Sequence, residues 1–577
     1  MCLLDSDEAE CRPVEANVLA RTCKTSEIYG RERRGAPTST ADFGHQSRNI
    51  SVGCVRVLDR LRLTADGATE LLRPGEMEGA TVTDCLIVGA GPVGLTMAAE
   101  LARYGVGVRL IDRAPHATET SKALVVWSRT LELMDRMGCS QAFLEAGLRA
   151  PGASIRSGGR ILGHPRFDTI ASAYNFALMI PQRDTEGLLA AHARAFGVEV
   201  ERQAELIGFT EACDGVEARL RHADGYEETV QAPWLLGCDG AHSAVRHGLG
   251  LAFTGSAQGD DWLLADVRLD GPGAPPPDEI ATYLHRDGPF VIFPIPNGRA
   301  RVVATVGKTE AGHARPDPTL AEVQALVDRR AGGDIRVSDP VWLTNFRINE
   351  RKVSEYRRGR VFLVGDAAHI HSPAGGQGMN TGMQDAVNLA WKLAMVIRGT
   401  AGEGLLDSYS PERSAVGDLV LRNAGRLTDL ATLSNPAAQF ARNLALRFLL
   451  GLHAVRDRIA TTMSEIEIAY RESPLSHGPG AGARWPPEAY AGPPPGAGGE
   501  PRFVLYAADM RRGAALTRRF PHLLEPAPRP SPERSDLVIV RPDGYVALAA
   551  REAAWDDAER YLSTLARADE RGTGPFS

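Results

Sequence analysis

Three glycine-rich clusters, two of them carrying an aspartate, are the residues of this chain best suited to chemistry. Gly89-Ala90-Gly91-Pro92-Val93-Gly94, Gly237-Cys238-Asp239-Gly240 and Gly365-Asp366-Ala367-Ala368-His369 follow one another in that order. Glycine lets the backbone approach a phosphate, and a carboxylate accepts hydrogen bonds from sugar-like hydroxyls. Each cluster alone is a weak signal. Together they can hold a dinucleotide along its length, the pyrophosphate at the first cluster and the hydroxyls at the aspartates. The chain has no Cys-x-x-Cys, no metal-ligand spacing and no Ser-His-Asp set, and no side chain is assigned as a catalytic acid, base or nucleophile.

The elements that must position these clusters are legible around the first. Asp84 to Val88 is a short apolar run, and Pro92 to Tyr104 carries Leu95, Ala98, Ala99 and Ala102 at helical spacing. The unit predicts strand, tight turn and helix. Gly89 allows the turn, Gly91 admits a phosphate, and Gly94 lets helix and strand pack closely. Pro92 suits the first helical position, and the helix N-terminus turns free N–H groups toward the pyrophosphate. A second strand, Val106 to Ile111, ends in Asp112, about 20 residues beyond the glycines, where an acid can bind a ribose hydroxyl pair. Arg113 follows it as a further candidate for cofactor contact.

From about Thr81 to about Leu475 these residues resemble the single-component FAD-dependent aromatic hydroxylases with the p-hydroxybenzoate hydroxylase fold. The stretch Gly237 to Arg246 is similar to the family's second flavin motif, which implies that Asp239 serves FAD and the passing nicotinamide cofactor. Gly365 to His369 is similar to the third, which implies that Asp366 bonds the ribitol chain. The run His371-Ser372-Pro373-Ala374-Gly375-Gly376-Gln377-Gly378-Met379-Asn380-Thr381-Gly382-Met383-Gln384-Asp385-Ala386 is the most specific segment and opens a helix. A glycine-rich turn there sets backbone N–H groups where negative charge develops on a reduced flavin. In the family this loop, here Pro373, Gly376, Gly378, Met379 and Asn380, borders the isoalloxazine, with the Pro373 carbonyl beside the reactive carbon. Arg129 matches an arginine that reaches the FAD phosphates, and Gln182 a glutamine near the flavin, with Glu186 one helical turn later.

The resemblance implies that NADPH or NADH reduces FAD, and that a flavin C4a-hydroperoxide then hydroxylates a phenolic aromatic substrate. Hydroxylation or Baeyer-Villiger oxygenation of a fused aromatic polyketide is the alternative. A flavin-binding protein without turnover is another, against which the intact Pro373 to Gly382 loop speaks. His369 and His371 either shape the flavin pocket or move a proton. Asp112 stands where many relatives have glutamate.

The fold class expected is α/β and α+β: a Rossmann-like FAD-binding domain with an inserted β-sheet substrate domain, a helical segment and a small thioredoxin-like C-terminal domain. The corresponding divisions are 78–250 and 351–471 for the FAD-binding parts, 251–350 for the substrate domain, 472–501 for a Pro/Gly linker and 502–577 for the last domain. In the substrate domain, Trp262 to Asp270, Ile280 to His285, Phe290 to Pro294 and Ala300 to Val306 read as strands, with a helix from Leu320 to Arg330. Tyr283, Phe290 and Phe293 are candidates to line an aromatic pocket, ordinary packing being the alternative for each. Ala437 to Ile459 carries Phe440, Leu444, Phe448 and Leu452 at helical intervals; interrupting arginines favour a packed helix over a membrane-surface one. The C-terminal domain has no cysteine, which excludes dithiol chemistry and leaves a structural role, subunit contact or a plain appendage. Residues 1–77 show no sustained apolar period and no export signal, so they are expected to be disordered or non-native, with Met77 as a candidate start.

At 577 residues the chain has room for several domains. A formal charge of −7, from 65 basic and 72 acidic residues, argues against a nucleic-acid binder. Unpaired cysteine spacings suit a reducing cytoplasm. The partners expected are a small aromatic substrate and dioxygen, with no nucleic acid and no membrane, and a homodimer as the candidate assembly.

Overall fold

Cys85–Val88 is apolar and buried at every position, as a strand covered on both faces must be. In the computed structural model it lies inside a six-stranded sheet. The order is Val200–Arg202, Val108–Asp112, Cys85–Val88, Trp234–Gly237, Val361–Leu363 and Arg357–Arg358, parallel except for the last pair. The structure describes residues 61–63, 69–71, 83–119, 123–157, 160–308, 315–332, 334–373, 375–433, 435–532, 536–551 and 554–566. It divides into units 1–80 and 81–577. In the first, Leu61–Leu63 pairs antiparallel with Thr69–Leu71. The expectation of a structureless segment before Met77 otherwise lies outside the described residues.

The helix Pro92–Arg103 follows the first strand, with Gly91 as its N-cap and no side-chain cap. The helix Gly378–Ile397 packs against it and is buried along most of its length, which its apolar composition permits. Beside this core stands an eight-stranded sheet in the order His369–Ile370, Arg336–Lys352, Thr254–Asp270, Arg299–Gly307, Gly288–Ile295, Glu279–His285, Gly152–Ser157 and Arg160–Gly163. Its last two strands precede residue 251 and its first follows residue 350, so this sheet draws on chain outside the 251–350 range expected to form one domain. The reason is register: Gly152–Ser157 pairs in parallel with Glu279–His285, a pairing that no local sequence pattern announces.

The helix Leu320–Arg330 covers one face of this sheet and is capped by a reciprocal Thr319/Glu322 box. A third sheet, Arg529–Pro530, Val504–Ala507, Asp536–Val540 and Val546–Arg551, carries the helices Met510–Arg519 and Trp555–Ala566. The Pro/Gly segment before it, expected as a linker, runs in turns that are hydrogen-bonded on both sides. Gly482 N donates to Val546 O at 2.8 Å, while Arg103 Nη1 donates to Gly496 O at 3.0 Å.

The expected packing of Phe440, Leu444, Phe448 and Leu452 is corrected by the structure. The helix forms as Pro436–Leu449, with Asn435 accepting hydrogen bonds from Ala437 N and Ala438 N. It buries Gln439 and Arg442 and turns Phe440, Leu444 and Phe448 to solvent, while Leu452, also exposed, caps a separate helix, His453–Met463, so the single helix expected from Ala437 to Ile459 is two. Helical period alone does not say which face is inward. Among the described residues no helix is long and apolar enough to cross a membrane.

Candidate active site

The three glycine clusters meet at the start of the Pro92–Arg103 helix. Gly89 has φ +100°, and a Cβ there would stand 2.5 Å from Cys238 O, so the first cluster packs directly on the second. A Cβ on Gly94 would stand 1.9 Å from Gly89 O. Val93 is wedged between Gly365 and Gly382: added Cβ atoms would approach its Cγ2 to 2.8 and 2.7 Å. Gly91 differs from its neighbours, since a Cβ there would meet nothing within 4 Å. It faces open space at a helix N-terminus whose N–H groups have no intrahelical partner. This cradle fits the pyrophosphate of FAD.

Asp112 ends the neighbouring strand and braces the cradle. Its Oδ2 accepts from Ala90 N at 2.7 Å and its Oδ1 from Ala114 N at 2.8 Å. Arg113, beside it, is exposed. Asp239 accepts from Ala244 N at 2.6 Å and Val245 N at 3.2 Å, capping the helix Ala244–Gly248. Its Oδ1 is buried without a partner, and burial pushes its carboxyl above the usual range. Arg246 ties the second cluster to the third, donating to Ala367 O at 3.0 Å. Asp366 lies exposed in the short 3-10 helix Gly365–Ala367.

The segment after the third cluster joins the two large sheets. His369–Ile370 pairs with the end of Arg336–Lys352, so the loop that follows lies where the six-stranded and eight-stranded sheets adjoin. Gly376 N donates to the carbonyl of Pro373 at 2.9 Å, closing a turn, and Pro373 is exposed. Trp127 Nε1 donates to Gly375 O at 2.9 Å. Asn380 is a clamp: its Oδ1 accepts from Trp127 N at 2.8 Å, and its Nδ2 donates to Val125 O at 2.9 Å and Gly376 O at 3.0 Å. Gly378 and Met379 open the long helix, half-buried. The loop is therefore held in place from outside.

Behind the loop is a buried ionic network. His369 Nε2 bonds Asp385 at 2.7 Å; Arg413 reaches the other oxygen of Asp385, and its Nη1 donates to Tyr470 Oη at 2.8 Å. Burial pushes the Asp385 carboxyl up, but Arg413 and His369 outweigh it and hold it below the usual range. The His371 ring lies parallel to that of His369, with centroids 6.5 Å apart. Its Nδ1 is 2.8 Å from Ser372 O, and its buried Nε2 points toward Gly378. Burial, with His369 beside it, lowers His371 to about 4, so the ring is neutral at pH 7. Glu465, with φ +61°, accepts from Thr381 Oγ1 at 2.8 Å and Gln384 Nε2 at 2.5 Å, and burial raises it to about 7. Asp385 belongs to the motif run that begins at His371, though the motif gives it no role; no motif flagged Arg413 or Glu465, and helix packing brings the three together.

One placement departs from the expectation. Arg129 is 1% exposed and turned to the C-terminal sheet, not to a phosphate. Its Nη1 meets Glu132 at 3.0 Å, its Nη2 donates to Asp543 O at 2.7 Å, and its guanidinium stacks over Tyr545. A buried guanidinium needs such partners; Glu132 supplies one from the same helix, and Asp543 and Tyr545 supply the others from chain far away in sequence. Gln182 remains half-buried at its helix start, donating to Glu186 at 2.8 Å.

For the aromatic candidates the structure favours the alternative of ordinary packing at Tyr283 and Phe290. Tyr283 and Phe290 pack edge to face, 5.4 Å apart, in the core between the sheet and the Leu320–Arg330 helix. Phe293, three residues further along its strand, is on the opposite face, near Trp262, Trp342 and Phe346. Strand alternation separates them. On that face Arg301 is bidentate to Asp266, at 2.7 Å for both bonds, and its guanidinium lies 5.7 Å from the Trp342 ring. The period of two between Val291, Phe293 and Ile295 was the available signal.

With the site described, its likeness to known proteins can be stated. A family described as "FAD binding domain" matches residues 82–424. The 6-methylpretetramide 4-monooxygenase of Streptomyces rimosus is 42% identical over 420 residues, 71% of this chain and 73% of that protein. The pentachlorophenol 4-monooxygenase of Sphingobium chlorophenolicum is 33% identical over 427 residues, 72% of this chain and 76% of that protein. Among solved structures, the anhydrotetracycline hydroxylase OxyS of Streptomyces rimosus has a TM-score of 0.69 at 30% identity, covering 84% of this chain and 98% of that one.

Proposed function

The chain belongs to the FAD binding domain family and is a flavin-dependent aromatic monooxygenase; from that premise we propose that its substrate is a phenol within a fused, polyketide-like ring system. The observation that carries this choice is similarity: 42% identity to an enzyme named for 6-methylpretetramide, against 33% to one named for pentachlorophenol. The cluster of Phe293, Trp342 and Phe346 on one face of the eight-stranded sheet supports it by offering aromatic surface to a fused ring. A single-ring phenol is the second reading, favoured by the latter relative.

The chemistry FAD would supply there is acceptance of hydride from NADPH or NADH and activation of dioxygen, one oxygen entering the aromatic ring and the other leaving as water. In this reading Gly91 and the N-terminus of Pro92–Arg103 hold the pyrophosphate, Asp112 the ribose and Asp366 the ribitol hydroxyls. Gly376, Gly378 and Met379 present backbone to the flavin, and the Asn380 clamp fixes that backbone. The neutral imidazole of His371 carries its proton on Nδ1 toward Ser372 O and leaves Nε2 behind the loop as a hydrogen-bond acceptor, a group that orients a donor there rather than taking its proton at pH 7. Trp127, Val125 and Met463 close the loop on its apolar side, which keeps water from the reacting centre.

The C-terminal sheet combines a parallel pair, Val504–Ala507 with Arg529–Pro530, and an antiparallel hairpin flanked by helices, which supports a thioredoxin-like assignment. The assembly we propose is a pair of identical chains. Cys85, Cys139, Cys213 and Cys238 are unpaired, in keeping with a reducing cytoplasm.

The test is anaerobic reduction of the flavin-loaded protein by NADPH and by NADH, with single-ring and fused-ring phenols, then mixing with oxygen and mass analysis of products. A fused phenol that speeds reduction and gains one oxygen supports the proposal. Stimulation confined to single-ring phenols would transfer it to the second reading.

A further inference from the structure

A strap of chain, residues 462–465, crosses the loop that carries Gly375 to Gly378. Thr462 O accepts from Gln377 Nε2 at 3.1 Å, a Cβ on Gly375 would stand 3.5 Å from Met463 Cε, and Ser464 O accepts from Arg129 N at 3.2 Å. The strap is the end of the His453–Met463 helix, with Ser464 as its C-cap. The next residue, Glu465, is 2% exposed and has φ +61°, a left-handed conformation that a side chain adopts only at a cost. Such strain persists where the surroundings impose it. Here it accompanies a buried carboxyl set against the first two turns of Gly378–Ile397, where it meets Thr381 and Gln384.

The hydrogen bonds of that carboxyl call for a proton. Thr381 Oγ1 lies 2.8 Å from Glu465 Oε1 and 3.1 Å from Gln377 O, and its single hydroxyl hydrogen can serve only one of these acceptors. A proton on Glu465 satisfies both: the acid donates to Thr381 Oγ1, and the Thr381 hydroxyl then donates to Gln377 O. The other carboxyl oxygen accepts from Gln384 Nε2, which also reaches Thr130 Oγ1 at 3.3 Å. When the proton leaves to solvent, the Thr381 hydroxyl turns to the carboxylate. Gln377 O then keeps the Thr381 N–H, at 2.8 Å, and loses the hydroxyl. Gln377 is the N-cap of the long helix and stands between Gly376 and Gly378, so the change is felt in the loop itself.

The charges that act on Glu465 come from two neighbouring helices. Burial and Asp385 favour the acid; Arg413, whose Nη2 donates to Thr381 O at 3.0 Å, favours the carboxylate and is itself paired with Asp385. Asp385 is held in turn by His369, and Arg413 by Tyr470. The Ser128–Met137 helix presents the uncharged Thr130, its Arg129 being engaged by Glu132 and Asp543. On the same segment as Glu465, Glu467 is exposed and paired with Arg458.

We propose that Glu465 is a positioning residue that carries a proton in the folded protein, and that this proton, relayed through the Thr381 hydroxyl to Gln377 O, holds the loop in the form that receives FAD. The inference rests on the reading above that Gly376, Gly378 and Met379 face the flavin. Proton binding at Glu465 and FAD binding then favour each other by the same factor.

Two titrations of the full chain test it: infrared spectra against pH with and without FAD, and fluorescence titration of the flavin-free protein with FAD at pH 6 and pH 8. A carboxylic-acid C=O band absent from Glu465→Gln should vanish from wild type as pH rises through neutrality, and at a higher pH once FAD is bound. FAD affinity should fall about fivefold or more from pH 6 to pH 8, the scale of an ordinary coupling between two sites. Glu465→Gln should hold its affinity over that range and exceed wild type at pH 8, because an amide carries both a donor and an acceptor at every pH. Loss of packing alone would not produce that gain. Thr381→Val, which removes the relay and leaves the carboxyl, should keep the band and lose the pH dependence of FAD affinity. Affinity that falls equally in wild type and Glu465→Gln, or no acid band assignable to Glu465 at pH 6, overturns the proposal. Gly378→Ala tests the reading beneath it, since a Cβ there would meet only the His371 ring, at 3.5 Å, and the fold tolerates it. Weaker FAD binding in Gly378→Ala, with equal pH dependence in wild type and Glu465→Gln, rejects the proton relay alone. Unchanged FAD binding in Gly378→Ala removes the loop from the flavin and rejects both.

Discussion

Gly89 and Gly91 are two residues apart and meet opposite surroundings. At Gly89 the left-handed φ and the contact with Cys238 O make any side chain a folding defect. At Gly91 the N-cap conformation is extended and the space beyond is open, so alanine costs the fold little. A Cβ there would nonetheless stand where the backbone must approach a pyrophosphate. Gly91→Ala should therefore keep the melting temperature of the flavin-free protein within a few degrees. It should weaken FAD affinity by about tenfold or more, which is 1.4 kcal/mol. Fluorescence titration of the apoprotein with FAD reads the effect, and unchanged affinity would remove Gly91 from the site. At the same scale, Asp366→Ala should lose flavin on gel filtration while remaining folded; full retention would count against its ribitol role.

Between elements, the strongest tie is a buried charge network joining the C-terminal sheet to the Gly378–Ile397 helix. Arg541 donates to Glu412 at 2.6 and 3.0 Å and to Asp543 at 2.6 Å, and Lys392 Nζ lies 2.8 Å from Glu412. Burial alone would raise Glu412, but Arg541 and Lys392 outweigh it and hold it ionised. Burial lowers Lys392 to about 8 despite Glu412. Such pairs are costly to break singly because the surviving charge has no water to solvate it. Arg541→Met should cost about 3–5 kcal/mol in urea unfolding. Adding Glu412→Gln should recover part of this, since Lys392 can then shed its proton cheaply. A double variant no better than the single would mean that packing, not charge, governs the junction. The network also explains Arg129, whose partners Asp543 and Tyr545 belong to the same turn. The C-terminal sheet is thus keyed into the back of the flavin-side helix and is no loose appendage.

For the molecule as a whole, Glu465 couples stability to pH. Its folded value of about 7 lies above the ordinary 4.5. Between those values the folded chain holds a proton that the unfolded chain has lost, so stability falls as pH rises through that window. The fall should be on the order of 2 kcal/mol from this group. Glu465→Gln keeps an acceptor for Thr381 and does not titrate, so its melting temperature should drop less than that of wild type between pH 5 and pH 8. Equal drops in the two proteins would show that other groups dominate.

Local physics determined the strand, glycine turn and helix from Asp84 to Tyr104, the acid at Asp112 and the ordered series of flavin clusters. Each of these depends on backbone conformation and short-range spacing. The sequence also determined the alternation within Gly288–Ile295 and the period of Pro436–Leu449, because both follow from residue type. Tertiary structure alone decided which way those periods face. It put Phe290 in the core and Phe293 on the other side, and it turned Phe440 and Phe448 outward. It likewise decided the partners of Arg129, the pairing of Gly152–Ser157 with Glu279–His285, and the meeting of Asp385, Arg413 and Glu465. Those outcomes rest on contacts between residues tens to hundreds of positions apart, where burial and charge pairing are settled jointly by all the elements that pack.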